Sequence, residues 1–270
     1  MELDPFSHAF HEDPYPVYRE LRDNDPCYRN NEVGFYALSR YADVLEASQQ
    51  PLLYSSAEGT TIEPLDTANL LPMMIFMDPP AHDVQRKLVS RAFTPRAISE
   101  LEPFVRKTAI DCLEPLRAQG GGDFVEEFSA ALPMNVIMEL LGVPAADRNT
   151  LRHWMDATLD RLEEPPYIPD HAIEAMGRAG EYWAELVKEK RAHPDDGFIS
   201  KLCAAEMEDD NGVAKRLTDR EVIGFASLIG SAGTETLTKL LANAVVLFHR
   251  NPSEWKKVLA DPANIPGAVE

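Results

Sequence analysis

The strongest pattern in the chain is the run at 218–250, TDREVIGFASLIGSAGTETLTKLLANAVVLFHR, whose apolar positions recur at helical spacing. Thr218 followed by Glu221 forms a capping box, and Asn251-Pro252 closes the run, so both ends carry helix-boundary chemistry. At ~1.5 Å per residue the helix would be on the order of 45 Å long, enough to cross a domain of this size. Val222, Ile223, Phe225, Leu228, Ile229, Leu237, Leu240, Leu241, Val245, Leu247 and Phe248 lie on several faces, which predicts a helix buried nearly all round. The centre breaks the pattern. Gly230 and Gly233, each roughly 1 kcal/mol worse than Ala in a helix, stand beside Ser231, Thr234, Glu235 and Thr236. A local conflict inside a strong element is where function or strain is expected.

Elsewhere helices also dominate. Turn residues followed by Val17, Tyr18 and Leu21 predict a short amphipathic helix at 13–23, and CYRNNEVGFYAL predicts a hairpin at 27–38. After a helix at 41–49, residues 51–77 show no sustained period and predict a long irregular loop, the kind more often functional than filler. Its end, Met73 to Met77, is apolar and suits a pocket wall or a core tuck. Helices are predicted at 81–93, at 95–117 with a kink or interruption near Pro103, and at 124–141 with a break at Pro133, the second closed by Gln119 and the glycines of 120–122. Amphipathic helices at 145–162 and 170–191 are separated by Glu163-Glu164-Pro165-Pro166, a stiff linker and candidate lid hinge. A helix at 195–207, a polar turn at 208–212 and a short helix at 253–260 complete the reading, which is mainly α with a small β-sheet portion.

Composition narrows the function classes. With 270 residues, 44% hydrophobic, the chain can bury a large core as one big domain or two smaller ones. A formal charge of −19 argues against general nucleic-acid or anionic-membrane binding, since both need a basic surface. The opening MELDPFSHAFHEDPYP has no apolar core and no basic leader, and Glu235 and Lys239 interrupt the longest apolar stretches, so neither a signal peptide nor a membrane span is expected. Cys27, Cys112 and Cys203 are widely separated and form no CxxC pair, which suits a reducing cytoplasm and offers no zinc or disulfide framework. No HExxH, GxSxG, GxGxxG or phosphate-loop pattern occurs, and the acidic stretch at 206–212 lacks the ligand order of a calcium loop.

Two constellations carry chemistry. Glu235-Thr236 places a carboxylate beside a hydroxyl inside an apolar helix, where the pair can relay protons; Thr236 can bond the Ala232 carbonyl, and Gly233 removes side-chain bulk there. The plainer reading is a solvent-facing Glu with a back-bonded Thr, and the cost of burying an unpaired carboxylate favours function. His82 and Arg86, at i and i+4 behind Asp78-Pro79-Pro80, could clamp a carboxylate, or could belong to an ordinary solvated basic face together with Lys87, Arg91 and Arg96. That basic stretch also suits the docking of an acidic partner.

In order, Asp13-Pro14-Tyr15-Pro16 with its helix, the hairpin around Phe35, Tyr41-Ala42-Asp43-Val44, MDPPAHDVQRKLVSRAFTPR and Ala232-Gly233-Thr234-Glu235-Thr236 resemble the cytochrome P450 haem-thiolate monooxygenases of the soluble bacterial type. The resemblance covers essentially the whole chain. It implies that His82 and Arg86 bind the propionates of haem b, that Ala232 and Gly233 line the oxygen pocket, and that Glu235 and Thr236 are the acid-alcohol pair that delivers protons during dioxygen activation. Met73, Met74, Ile75, Phe225 and Ile229 would contact a small apolar substrate, under a roof formed by the loop at 51–77 and the helices flanking Pro165-Pro166. Electrons would come from a ferredoxin-type partner in the cytoplasm.

The family's Glu-x-x-Arg helix and cysteine-ligand loop have no counterpart here, and none of Cys27, Cys112 or Cys203 stands in that context. The expectation is therefore the N-terminal part of one P450 domain, truncated after the long central helix: a β-containing lobe and irregular loop at 1–80 and a helical part at 81–270. Its haem thiolate would come from outside the chain. A haem-free helical ligand-binding protein that kept the pocket and lost catalysis is the alternative.

Overall fold

The computed structural model describes residues 3–62, 70–165, 167–208 and 214–270, apart from the side chains at 91, 92, 97, 207, 208 and 215. The first helices, α1 (His8–Glu12) and α2 (Tyr15–Asn24), lead into the hairpin β1 (Cys27–Arg29) and β2 (Tyr36–Leu38). Next come α3 (Tyr41–Ser48), a 3-10 turn at Met74–Phe76, α4 (Ala81–Ala92) and α5 (Pro95–Gln119). A π-helical turn, Val125–Ser129, precedes α6 (Ala131–Leu141), followed by α7 (Ala145–Ala157), α8 (Asp170–Ala192) and α9 (Phe198–Ala204). A second hairpin, β3 (Glu206–Glu208) and β4 (Ala214–Arg216), introduces α10 (Asp219–Arg250), and α11 (Pro252–Ala260) and α12 (Ile265–Val269) finish the chain. The fold is mainly α with a minor β part, as the sequence predicts.

Two compact units share these elements. One comprises Met1–Thr94 and Thr150–Ser227, the other Pro95–Asn149 and Leu228–Glu270. In the first unit, Leu3, Leu21 and Tyr28 make a small core beside the β1–β2 hairpin, whose antiparallel register pairs Cys27 with Leu38 and Arg29 with Tyr36. Tyr28 Oη accepts from Leu3 N–H (3.1 Å), and Asn30 Nδ2 donates to the Leu3 carbonyl (3.0 Å), so the hairpin holds the chain at Leu3. In the same unit, α8 buries Ala172, Ala175, Ala179, Trp183, Leu186 and Val187 at helical spacing and packs on α9, which also meets α4. Arg191, near the end of α8, pairs with Asp219 and donates to the carbonyls of Cys203 (3.1 Å) and Leu217 (2.7 Å), joining three segments at the start of α10. In the second unit, α5 packs along α6, and Gly142 ends α6 at φ 75°, with Val143 N–H bonding the Met138 carbonyl at 2.8 Å.

Several elements depart from the sequence pattern. Pro103 does not interrupt α5, which runs for 25 residues through Pro103 and Pro115. Pro133 is not the break in its helix either: the change of winding comes at Ser129–Ala130, and Pro133 falls in the first turn of α6, where amides lack helical acceptors. The α7 helix ends at Ala157 rather than 162, where Thr158 Oγ1 bonds the Met155 carbonyl at 2.7 Å. Of the helix expected at 195–207 only Phe198–Ala204 forms; Met207 lies in β3, paired with Lys215. Residues 209–212 of the expected polar turn, Pro166 of the hinge, 63–69 of the long loop and the Arg91 side chain lie outside the described residues.

Candidate functional site

The clamp on α4 is positioned from its N-terminal side. Asp78 accepts from Ser55 Oγ (2.5 Å) and Ser56 N–H (2.9 Å), which fastens the preceding loop to the helix entry; these bonds, Ser55's first, hold its carboxyl below the usual aspartate value. The helix buries Gln85, Leu88 and Val89, and it packs on α9 and on the turn at Met74–Phe76. His82 and Arg86 flank that buried stripe. His82 is 33% exposed, with Nδ1 3.0 Å from Asp83 Oδ1, so Nε2 is the ring nitrogen left for another partner. The Arg86 side chain is exposed, and among the described residues no carboxylate pairs with it. His82 and Arg86 thus stand one helical turn apart on α4, with His82 Nε2 and the guanidinium left for other partners.

The long helix begins as its capping box requires. Thr218 N–H and Oγ1 donate to Glu221 Oε2 (2.7 and 2.8 Å), while Glu221 N–H returns a 3.3 Å bond to Thr218 Oγ1. Two turns on, a Cβ added to Gly224 would lie 2.8 Å from the Pro72 carbonyl oxygen, so only glycine admits the 70–73 segment this close to α10. Beside that contact lies a cavity of about 330 Å³, lined by Leu71, Pro72, Met73, Phe76, Met77 and Arg220 among others. Of the predicted substrate contacts in this unit, Met73 lines the cavity; Met74 and Ile75 form the adjoining 3-10 turn, and Phe225 is 1% exposed in the core. Ile229 falls in the other unit, half-buried on α10.

The centre of α10 corrects one premise of the sequence reading. Glu235 is not a buried, unpaired carboxylate: its side chain is 35% exposed and ion-paired with Lys239 one turn on. Nor is the helix buried all round, because Leu237 (44% exposed) through Leu247 (57% exposed) face outward wherever no described element covers them. Thr236 Oγ1 does bond the Ala232 carbonyl, at 2.9 Å, without interrupting the helix. The buried hydroxyl is that of Thr234, which donates to the Gly230 and Ser231 carbonyls, both at 3.1 Å. Ala232 is exposed, and a Cβ on Gly233 would meet Ile137 Cδ1 at 2.8 Å, so the bulk that Gly233 omits makes room for α6.

Comparison with known proteins decides the family. The chain matches no protein-family model, but a solved ligand-free structure of the cytochrome P450 TbtJ1 aligns with all of it and with 68% of its own length, at 33% identity and a TM-score of 0.81. The chain belongs to the cytochrome P450 family. Cytochrome P450 123 of Mycobacterium tuberculosis is 43% identical over 271 residues, and the vitamin D(3) 25-hydroxylase of Pseudonocardia autotrophica is 38% identical over 272. Each alignment takes in 99% of this P450 chain, which spans 66% and 65% of the two relatives' lengths. The side chains on α4 are of a kind that fits haem: the Arg86 guanidinium donates to carboxylates such as the propionates, and the His82 ring does so from Nε2 when both its nitrogens carry protons.

Burial, and then Asp111, raises the Cys112 thiol, burial raises that of Cys203, and Cys27 is exposed on β1. Among the described residues no group of three or more His, Cys, Asp or Glu side chains could hold a metal ion, and no single helix is long and apolar enough to cross a membrane. Sequence reasoning missed Gly224, Arg220 and Thr234. Gly224 alone carried a signal, a glycine inside a strong helix, while the other two depend on contacts with distant segments.

Proposed function

We propose that this chain is part of a haem-dependent monooxygenase that inserts one oxygen atom of dioxygen into a small organic molecule with an apolar body, using electrons from a ferredoxin-type partner. The observation that carries the reading is the placement of His82 and Arg86 one turn apart on α4, in a chain of this family. Haem, when bound, supplies the redox iron at which dioxygen is reduced. His82 and Arg86 would hold its carboxylates, and Ala232, with the backbone of Gly233 beside it, would face the dioxygen. The thiolate would come from the part of the family's length that this chain does not span, since none of Cys27, Cys112 or Cys203 stands in the family's cysteine-loop context.

In this reading Thr236 keeps its Oγ lone pairs open while its proton rests on the Ala232 carbonyl, so it can accept from a water and pass a proton on. Glu235, partly exposed and paired with Lys239, sits where a carboxylate can exchange protons with bulk water. Thr236→Ala in the haem-loaded protein is expected to keep its haem while releasing several-fold more hydrogen peroxide per electron pair consumed. An unchanged yield of product per electron would exclude the relay. His82→Ala and Arg86→Ala are each expected to weaken haem retention about 10- to 100-fold, the size of a lost charged hydrogen bond, read from the absorbance of bound haem after competition with apomyoglobin. Retention unchanged in both variants would remove the clamp.

A further inference from the structure

We infer that Arg220 is a specificity residue, which selects substrates carrying a carboxylate at one end of an apolar body; the inference rests on the monooxygenase reading and deepens it. The cavity of about 330 Å³ beside the start of α10 is within the range of small-molecule sites, and Arg220 is the one charged side chain among its described lining residues. The other described residues that line it, Leu71, Met73, Phe76 and Met77 among them, are apolar in type. In such a wall a lone guanidinium sets the chemistry of what can enter.

The cation is available. Arg220 spends one of its five N–H donors, from Nη2 to the Leu70 carbonyl at 3.1 Å, and no carboxylate pairs with it among the described residues. The acids on either side of it in sequence are engaged elsewhere: Asp219 with Arg191, and Glu221 with the Thr218 cap. A planar guanidinium recognises a carboxylate by paired hydrogen bonds, and the Arg220 side chain is exposed and so open to one.

Arg220 could instead be a latch that holds the 70–73 segment against the helix. The contact at Gly224 argues against that role, because the Pro72 carbonyl already lies where the Cβ of any other residue would stand. Backbone packing one turn along α10 thus seats the segment, and the Arg220 bond to Leu70 is supplementary.

Binding of decanoate and of its methyl ester to the haem-loaded protein tests this, by equilibrium dialysis and by the ligand-induced change in haem absorbance. The unaltered protein is expected to prefer the acid. Arg220→Leu is expected to weaken decanoate about 10- to 100-fold and the ester less than about twofold, with Arg220→Lys intermediate for the acid. Equal losses for acid and ester would identify a latch, and the absence of any acid preference in the unaltered protein would overturn the inference outright. Failure to load haem would count against the monooxygenase reading alone, since dialysis reports carboxylate binding without it.

Discussion

Gln85 is 4% exposed, and among the described residues its Oε1 has no hydrogen-bond partner, although it occupies the stripe that Leu88 and Val89 fill with apolar groups. An unpaired buried amide oxygen costs about 1–3 kcal/mol, whereas leucine matches the volume without the polar atom. Gln85→Leu is therefore expected to raise the free energy of unfolding by about 1 kcal/mol in urea titration; a loss of that size would mean the oxygen has a partner. Asp195 makes the opposite case, a surface carboxylate with every oxygen used. Lys190 first, then the Ser200 hydroxyl (2.7 Å) and Gly197 N–H (2.9 Å), hold its carboxyl far below the ordinary range. A depressed folded pKa means that the ionised group stabilises the fold above the unfolded value of about 3.9, and that this contribution is lost as pH falls toward the folded value. Asp195→Asn should thus lower Tm at pH 7, by a modest amount for so exposed a group, with the gap from the unaltered protein shrinking below about pH 4. A gap constant with pH would show that charge is not its source.

At the scale of elements, Gly233 sets two effects against each other. Alanine there would gain about 1 kcal/mol of helix propensity, but its Cβ would press on Ile137, a β-branched side chain with little freedom to turn away. Overpacking typically costs about 1–3 kcal/mol, so Gly233→Ala should destabilise by about 1 kcal/mol on balance, and the same change should become neutral or favourable in an Ile137→Ala background. Without that coupling in a double-mutant cycle, the glycine's role in helix packing would be lost. Elements whose ends carry their own chemistry were legible in the sequence: the Thr218 capping box and Pro252 bound α10 to within a residue, and the turn glycine of β1–β2 placed that hairpin. The β3–β4 hairpin was not, because three-residue strands show no alternation, and a Glu206–Arg216 pair across the ladder becomes visible only once the chain has turned. The same limit applies to the site. His82 and Arg86 could be read from spacing within one helix, whereas the surroundings of Glu235 and Arg220 depend on which faces other segments cover, and one helix's periodicity does not contain that information.

Across the whole molecule the formal charge is −19, yet α4 presents Arg86 and Lys87 as exposed cations in the first unit. An acidic electron donor would be repelled by most of such a surface and drawn to its basic stretch, and local complementarity of this kind governs association rate more than final affinity. Arg86 is also assigned to the haem clamp, so altering it would confound docking with cofactor loss; Lys87, which no carboxylate pairs among the described residues, separates the two. With a ferredoxin as donor, reduction of the haem-loaded protein should slow as ionic strength rises, because the Debye length falls to about 8 Å near 0.15 M salt. Lys87→Glu should cut the low-salt rate several-fold, flatten the dependence on salt and leave haem content unchanged. Stopped-flow reduction read beside the haem absorbance resolves the outcomes: an unaltered salt slope would place the partner on another face, and a fall in bound haem would move Lys87 from the docking surface to the clamp.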